Sequence, residues 1–182
     1  MIEIFSGFFE FLSKQKDYFI PYVNRQASCE KWLQGEFIWY LNECKKIGTV
    51  VDANLEEVYG PKAGFCDIWF KTNEKEIWCE LEVIVTNYNL PGKPITNQVK
   101  HVIDDVKKLK KCPNQGCEQL VMFIVYPMPV DKTKDDLWNS IHMNRIVNVA
   151  EVIAEPYAVR FNSKSEARIY LARPKYKTED KI

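Results

Sequence analysis

Apolar residues along this chain fall into two spacings, one helical and one extended. Ile2, Phe5, Phe8, Phe9 and Leu12 recur every three or four positions, which predicts a helix with one face in a core. Cys29, Leu33, Phe37, Tyr40, Leu41, Cys44 and Ile47 repeat that spacing over about 29–46, with Ser28 as a suitable N-cap and Gly48 as a stop. The segment DYFIPYVNRQ between them is interrupted at Pro21 and reads as a connector. A further helix is expected over about 97–111, capped by Thr96 or Asn97, with Val99, Val102, Ile103, Val106 and Leu109 as its buried stripe. Lys107, Lys108, Lys110 and Lys111 crowd its last turn, where cations complement the helix dipole; a phosphate-facing patch is the sharper alternative. Another helix is expected over about 133–143, around Asp135, Asp136, Leu137, Trp138 and Ile141.

The extended spacing predicts strands at 50–59, 64–71, 76–86 and 119–126, and a hairpin of AEPYAVRF with ARIYLARP around Asn162–Ser165. QLVMFIVY at 119–126 is apolar after Gln119, as a central strand covered on both faces must be. A helix precedes it, so it should run parallel to 76–86 through a right-handed crossover, and Pro127 and Pro129 should end it. These elements predict one α/β domain: a mixed sheet flanked by helices, with an added N-terminal helix and a C-terminal β-hairpin.

Residues 64–86 carry the most chemistry. A two-residue turn at Asn73-Glu74 would pair Thr72 with Lys75, Phe70 with Ile77 and Asp67 with Glu80. In the second strand Ile77, Cys79, Leu81, Val83 and Val85 form a continuous apolar row. Trp78, Glu80, Glu82 and Ile84 point the other way, to the face shared by Phe65, Asp67 and Trp69. Two unit charges about 5 Å apart repel by roughly 3 kcal/mol at an effective dielectric of about 20. A divalent cation relieves that repulsion, and so does protonation of one carboxyl group. The plainer reading is a Glu-x-Glu on the wet face of a half-exposed strand. Glu36, at the edge of its helix's apolar stripe, is a further half-buried carboxylate, which a salt bridge or a snorkelling side chain would also explain.

Charge is balanced, with 25 basic and 25 acidic residues in 182, so any contact with nucleic acid must rest on a local patch. The N-terminus has no basic start and carries Glu3 and Glu10 in its apolar part, unlike a secretion signal, and no run reaches the roughly 20 residues of a membrane span. Six cysteines then imply reduced thiols and a cytoplasmic setting. Cys112 and Cys117 have the spacing of half a zinc site, with only the distant His142 to add. No phosphate-cradling glycine motif is present. Trp69 and Trp78, beside the carboxylates, suit either packing or stacking on a base.

The order helix, three strands, helix, strand carries Glu36 on its first helix, Asp67 on its second strand and Glu80-Leu81-Glu82 on its third. Over about residues 28–127 this resembles the PD-(D/E)XK nuclease superfamily, the restriction-endonuclease-like fold. The resemblance implies an αβββαβ core in which Asp67 and Glu80 bind Mg²⁺ or Mn²⁺ and Glu36 supports them. Cys66 stands at the variable proline position, and Glu82 stands where the motif has lysine. Some restriction endonucleases of this superfamily carry Glu-x-Glu there and are active. Lys100 and Lys93 are candidates to supply the missing cation, and Gln98 resembles a glutamine that some members place near the site.

The implied activity is phosphodiester hydrolysis on nucleic acid, DNA foremost, with no membrane partner and a homodimer left open. Asp67 and Glu80 would hold the metal, Glu82 would accept the proton of the attacking water, and Lys100 or Lys93 would neutralise the phosphate. Glu36 would hold a second-shell water or complete a second metal site. The rival readings are a nuclease-fold module that binds nucleic acid or protein without cutting, and an enzyme of another class or a structural protein whose strand carboxylates face solvent.

Overall fold

Residues Glu118–Pro129 form a strand buried along almost its whole length, and the molecule is layered around it. The computed structural model describes residues 2–60, 64–86, 94–112, 116–130 and 137–176. Three helices, α1 (Ile2–Lys14), α2 (Lys16–Arg25) and α3 (Glu30–Lys46), precede the strands β1 (Asp52–Gly60), β2 (Gly64–Lys71) and β3 (Glu76–Val85). Helix α4 (Ile95–Leu109) leads to β4, the buried strand at Glu118–Pro129. A π-helical turn at Trp138–Met143 runs into α5 (Asn144–Val147), followed by β5 (Ala150–Val152), β6 (Tyr157–Arg160) and β7 (Ser165–Pro174).

The strands form one seven-stranded mixed sheet in the order β1-β2-β3-β4-β7-β5, with β6 also on β7. β3 and β4 run parallel from Ile77–Glu118 to Val85–Tyr126, as the intervening α4 requires, and the other pairings are antiparallel. β5 and β6 share one edge of β7, the first against Ala172–Pro174 and the second against Glu166–Ile169.

Alternation along the strands sorts side chains into two cores. Ile77, Cys79, Leu81 and Val83 join Leu120, Met122 and Ile124 under α1–α3. There Phe8 stacks on Phe37 with ring centroids 4.3 Å apart. Gly7 sits where α1 meets α3, and a Cβ at that position would collide with the Tyr40 hydroxyl. On the other face Val99, Val102, Val106 and Leu109 of α4 cover Trp78, Ile84, Val121 and Phe123, and Trp138 and Ile146 extend that layer.

Several local expectations are revised. The connector around Pro21 is helical, because Phe19 and Val23 are buried and Phe19 packs its ring on Trp32, Tyr126 and Phe161. Helix α3 starts at Glu30, whose N–H donates to Ser28 Oγ at 3.4 Å, and α4 starts at Ile95, so Thr96 and Asn97 lie inside its first turn. Strand β4 continues through Pro127 to Pro129, because the register shifts between Val125 and Met128 and relieves Pro127 of any ladder bond. The helix expected over 133–143 is described only from Leu137, and its course is π-helical. The short β5 was not predicted, and the loop holding Lys93 lies outside the described residues. No helix among the described residues is long and apolar enough to cross a membrane.

Candidate functional site

Strand β3 carries the site because β2 covers only half of it. The predicted register holds for Lys71–Glu76, Phe70–Ile77, Trp69–Trp78 and Ile68–Cys79, and the described ladder stops there. Beyond Cys79 the N–H groups on that edge of β3 need other acceptors, and side chains provide them. Leu81 N–H donates to Asp67 Oδ2 at 2.9 Å, Val83 N–H to Glu82 Oε1 at 3.2 Å, and Val85 N–H to Gln98 Oε1 at 2.7 Å. Gln98 Nε2 returns a bond to Val85 O at 2.9 Å, so this glutamine closes the end of the strand. Asp67 therefore meets β3 through its carboxylate and not through the Asp67–Glu80 ladder pair expected. The distortion shows also in β1, where Glu56, between the pairs Leu55–Ile68 and Glu57–Cys66, adopts a left-handed φ of 54°.

Five carboxyl groups from four elements surround this open edge. Glu80 is 1 % exposed, and burial, with Asp67 nearby, raises it to about 8. Glu82 is raised to about 7 by burial and then by Glu30, and its Oε2 lies 3.8 Å from His101 Nδ1. Asp105, on α4, is raised to about 7 by burial and then by Glu82 and Asp67. Glu30, in the first turn of α3, is raised by burial and then by Asp67. Each of these four groups feels Asp67, which places it at the centre of the cluster.

Among the described residues Lys108 pairs with the most buried of them. Lys108 Nζ lies 2.8 Å from Glu80 Oε1, the same oxygen that accepts the Tyr59 hydroxyl, and sits over the Tyr59 ring at 5.4 Å from its centroid. Tyr59 stacks on Trp78 at 5.1 Å, which walls the ion pair from one side. Trp69 and Trp78 both direct their indole N–H to Glu76 Oε1, at 2.8 and 2.9 Å, so the two tryptophans are tied into the packing.

Among the predicted site residues, Asp67, Glu80 and Glu82 come together here and two others do not. Glu36 lies six residues past Glu30, about 240° round α3, so Glu30 is the carboxylate that this helix turns towards Asp67. Lys100 is exposed on α4, and its charge acts on Asp104. Lys108, read from sequence as a complement to the helix dipole, is the lysine that reaches the cluster. Asp105 and Lys108, three residues apart, flank the apolar stripe of Val102, Val106 and Leu109, and that edge position was the available signal.

Among the described residues no group of three His, Cys, Asp or Glu side chains is placed to hold a metal ion. Asp67 and Glu80 remain as a pair, and a hard cation such as Mg²⁺ binds through one or two carboxylates with waters completing its shell. The all-oxygen donors thus fit that ion by type, although Glu80 Oε1 already serves Lys108 and Tyr59. Comparison with family models, with curated proteins and with solved structures finds no match.

Proposed function

We propose that this protein is a divalent-cation-dependent nuclease that hydrolyses phosphodiester bonds in DNA on a restriction-endonuclease-like core. One observation carries the reading: Glu30, Asp67, Glu80, Glu82 and Asp105 crowd the open edge of β3 with Lys108 among them. Glu30, Glu80, Glu82 and Asp105 are raised by burial and then by neighbouring carboxylates, and perturbed acids in company with a base are common at reaction centres. The run α3-β1-β2-β3-α4-β4 has the αβββαβ order of that fold and supports the same reading.

In this mechanism Asp67 and Glu80 would hold the cation, which would supply charge relief at the phosphate and an acidified water. Glu82, raised to about 7, is matched to accepting a proton near neutral pH. Glu30 faces the same space from α3 and orients the attacking water. Lys108 replaces the lysine that the strand motif lacks and neutralises charge developing on the phosphate. The six cysteines, all free thiols, support a reducing compartment such as the cytoplasm.

A second reading is favoured by one feature. Glu80 is already paired with Lys108 and bonded by Tyr59, which leaves it less free to take a cation and favours a module that binds nucleic acid without cutting it. Two measurements separate them. Calorimetry with Mn²⁺ should show binding to the wild type and at least a tenfold loss in Asp67→Ala. Plasmid and single-stranded DNA incubated with Mn²⁺ should be cut by the wild type only. DNA bound but uncut across both substrates would give the second reading, and absence of Mn²⁺ binding by the wild type would remove the first.

A further inference from the structure

Cys112 and Cys117 bring their sulfurs within 3.4 Å of each other at the junction of α4 and β4. Cys112 closes the final turn of the helical run, its N–H donating to Leu109 O at 2.9 Å, and is buried in the core under α4. Cys117 immediately precedes the first residue of β4 and is half-buried, with Gln119 Nε2 donating to its Sγ at 3.8 Å. The two thiols are thus held by separate elements, one by a helix end and one by a strand start. A disulfide needs the sulfurs about 2.05 Å apart, so closure asks for a shift of little more than 1 Å.

We propose that Cys112 and Cys117 are a redox modification site, oxidised by a small disulfide such as glutathione disulfide to an intramolecular bridge that staples α4 to β4. The thiolate of Cys117, the more exposed of the two, attacks one sulfur of the oxidant, forming a mixed disulfide and releasing one glutathione thiolate. Cys112 then loses its proton and attacks the Cys117 sulfur, forming the internal S–S bond and expelling the second glutathione. Two protein thiols lose two electrons and two protons, and one glutathione disulfide becomes two glutathiones. Burial and the neighbouring Cys112 push the Cys117 thiol up to about 12, so little thiolate is present at neutral pH and the first step is slow. Closing so short a loop restricts the unfolded chain and raises Tm by about 5 °C.

The test treats the native full chain with glutathione disulfide and measures its intact mass. The expected product is lighter by two hydrogens, gives a Cys112–Cys117 cross-link on non-reducing peptide mapping, melts higher, and returns to the starting mass with dithiothreitol. Cys112→Ser should halt at the glutathione adduct on Cys117, which identifies the order of attack. A native protein that keeps six thiols, stops as a stable mixed disulfide, or links a different pair of cysteines overturns the proposal.

Discussion

Lys108→Met is expected to destabilise the fold by about 3 kcal/mol at pH 9 and by only about 1 kcal/mol at pH 6. The ammonium lies 2.8 Å from a carboxyl oxygen of a residue that is 1 % exposed, while the lysine side chain itself keeps 31 % of its surface. Removing one partner of a buried pair leaves the other uncompensated, a loss of about 3–5 kcal/mol when the remaining charge cannot be neutralised. Glu80 has a way out, since burial and Asp67 already raise it to about 8 with the lysine in place. Without the lysine it rises further and holds its proton through pH 6, where the variant loses a hydrogen bond and little more. At pH 9 the unfolded chain ionises Glu80 freely and the folded chain does not, so the full cost returns. Urea unfolding of both proteins at the two pH values measures this, and equal losses at both would show that Glu80 is not the charge that Lys108 compensates.

The second large effect concerns the whole cluster. Glu80, Glu82 and Asp105 are raised from 4.5, 4.5 and 3.8 to about 8, 7 and 7, so in each case the folded state binds the proton more tightly than the unfolded chain. Stability contributed by groups raised in this direction is complete below pH of about 4 and is lost as pH climbs through the folded values. The groups raise one another, so their shifts do not add. Retention of a single proton by the cluster across about three pH units is worth about 4 kcal/mol. The fold should therefore be about 4 kcal/mol more stable at pH 5 than at pH 8.5. Millimolar Mg²⁺ or Mn²⁺ should recover much of the loss at pH 8.5 and little at pH 5, where protons hold the carboxyl groups. Denaturant midpoints across that range, with and without the cation, decide it. A midpoint that stays flat with pH would mean that these carboxyl groups are solvated, one that rises would mean that the folded state favours their ionised forms, and an equal cation effect at both ends would mean that the ion binds elsewhere.

Much of the architecture was legible because β3 and β4 obey simple periodicities. The row Ile77, Cys79, Leu81, Val83 does face one core, and β4, apolar from Leu120 onward, does lie in the middle with a helical layer on each side. The turn at Asn73-Glu74 fixed the pairing of Phe70 with Ile77. What the hairpin rule does not contain is the end of the pairing after Cys79, which depends on Asp67 and Gln98 substituting for a strand. Helical position misled in two places for related reasons. Lys108 had an ordinary local explanation as a base in a last turn, and Glu30, an acid in a first turn, drew no reading at all. Only the packing of α3 and α4 on opposite faces of one sheet shows that both turn towards Asp67. Pro21 likewise argued for a break, and the rings around Phe19 outweigh it.

The unpaired edge of β3 links acid chemistry to backbone order. Asp67 is at once a proposed ligand and the acceptor that replaces a missing neighbour for Leu81, so any guest that draws its oxygen outward strips that amide of its partner. The opposite edge of the strand stays zipped to β4 from Ile77 to Val85 and is untouched by such a loss. A guest bound at Asp67 would therefore loosen one margin of a single strand, with the rest of the sheet serving as a fixed frame.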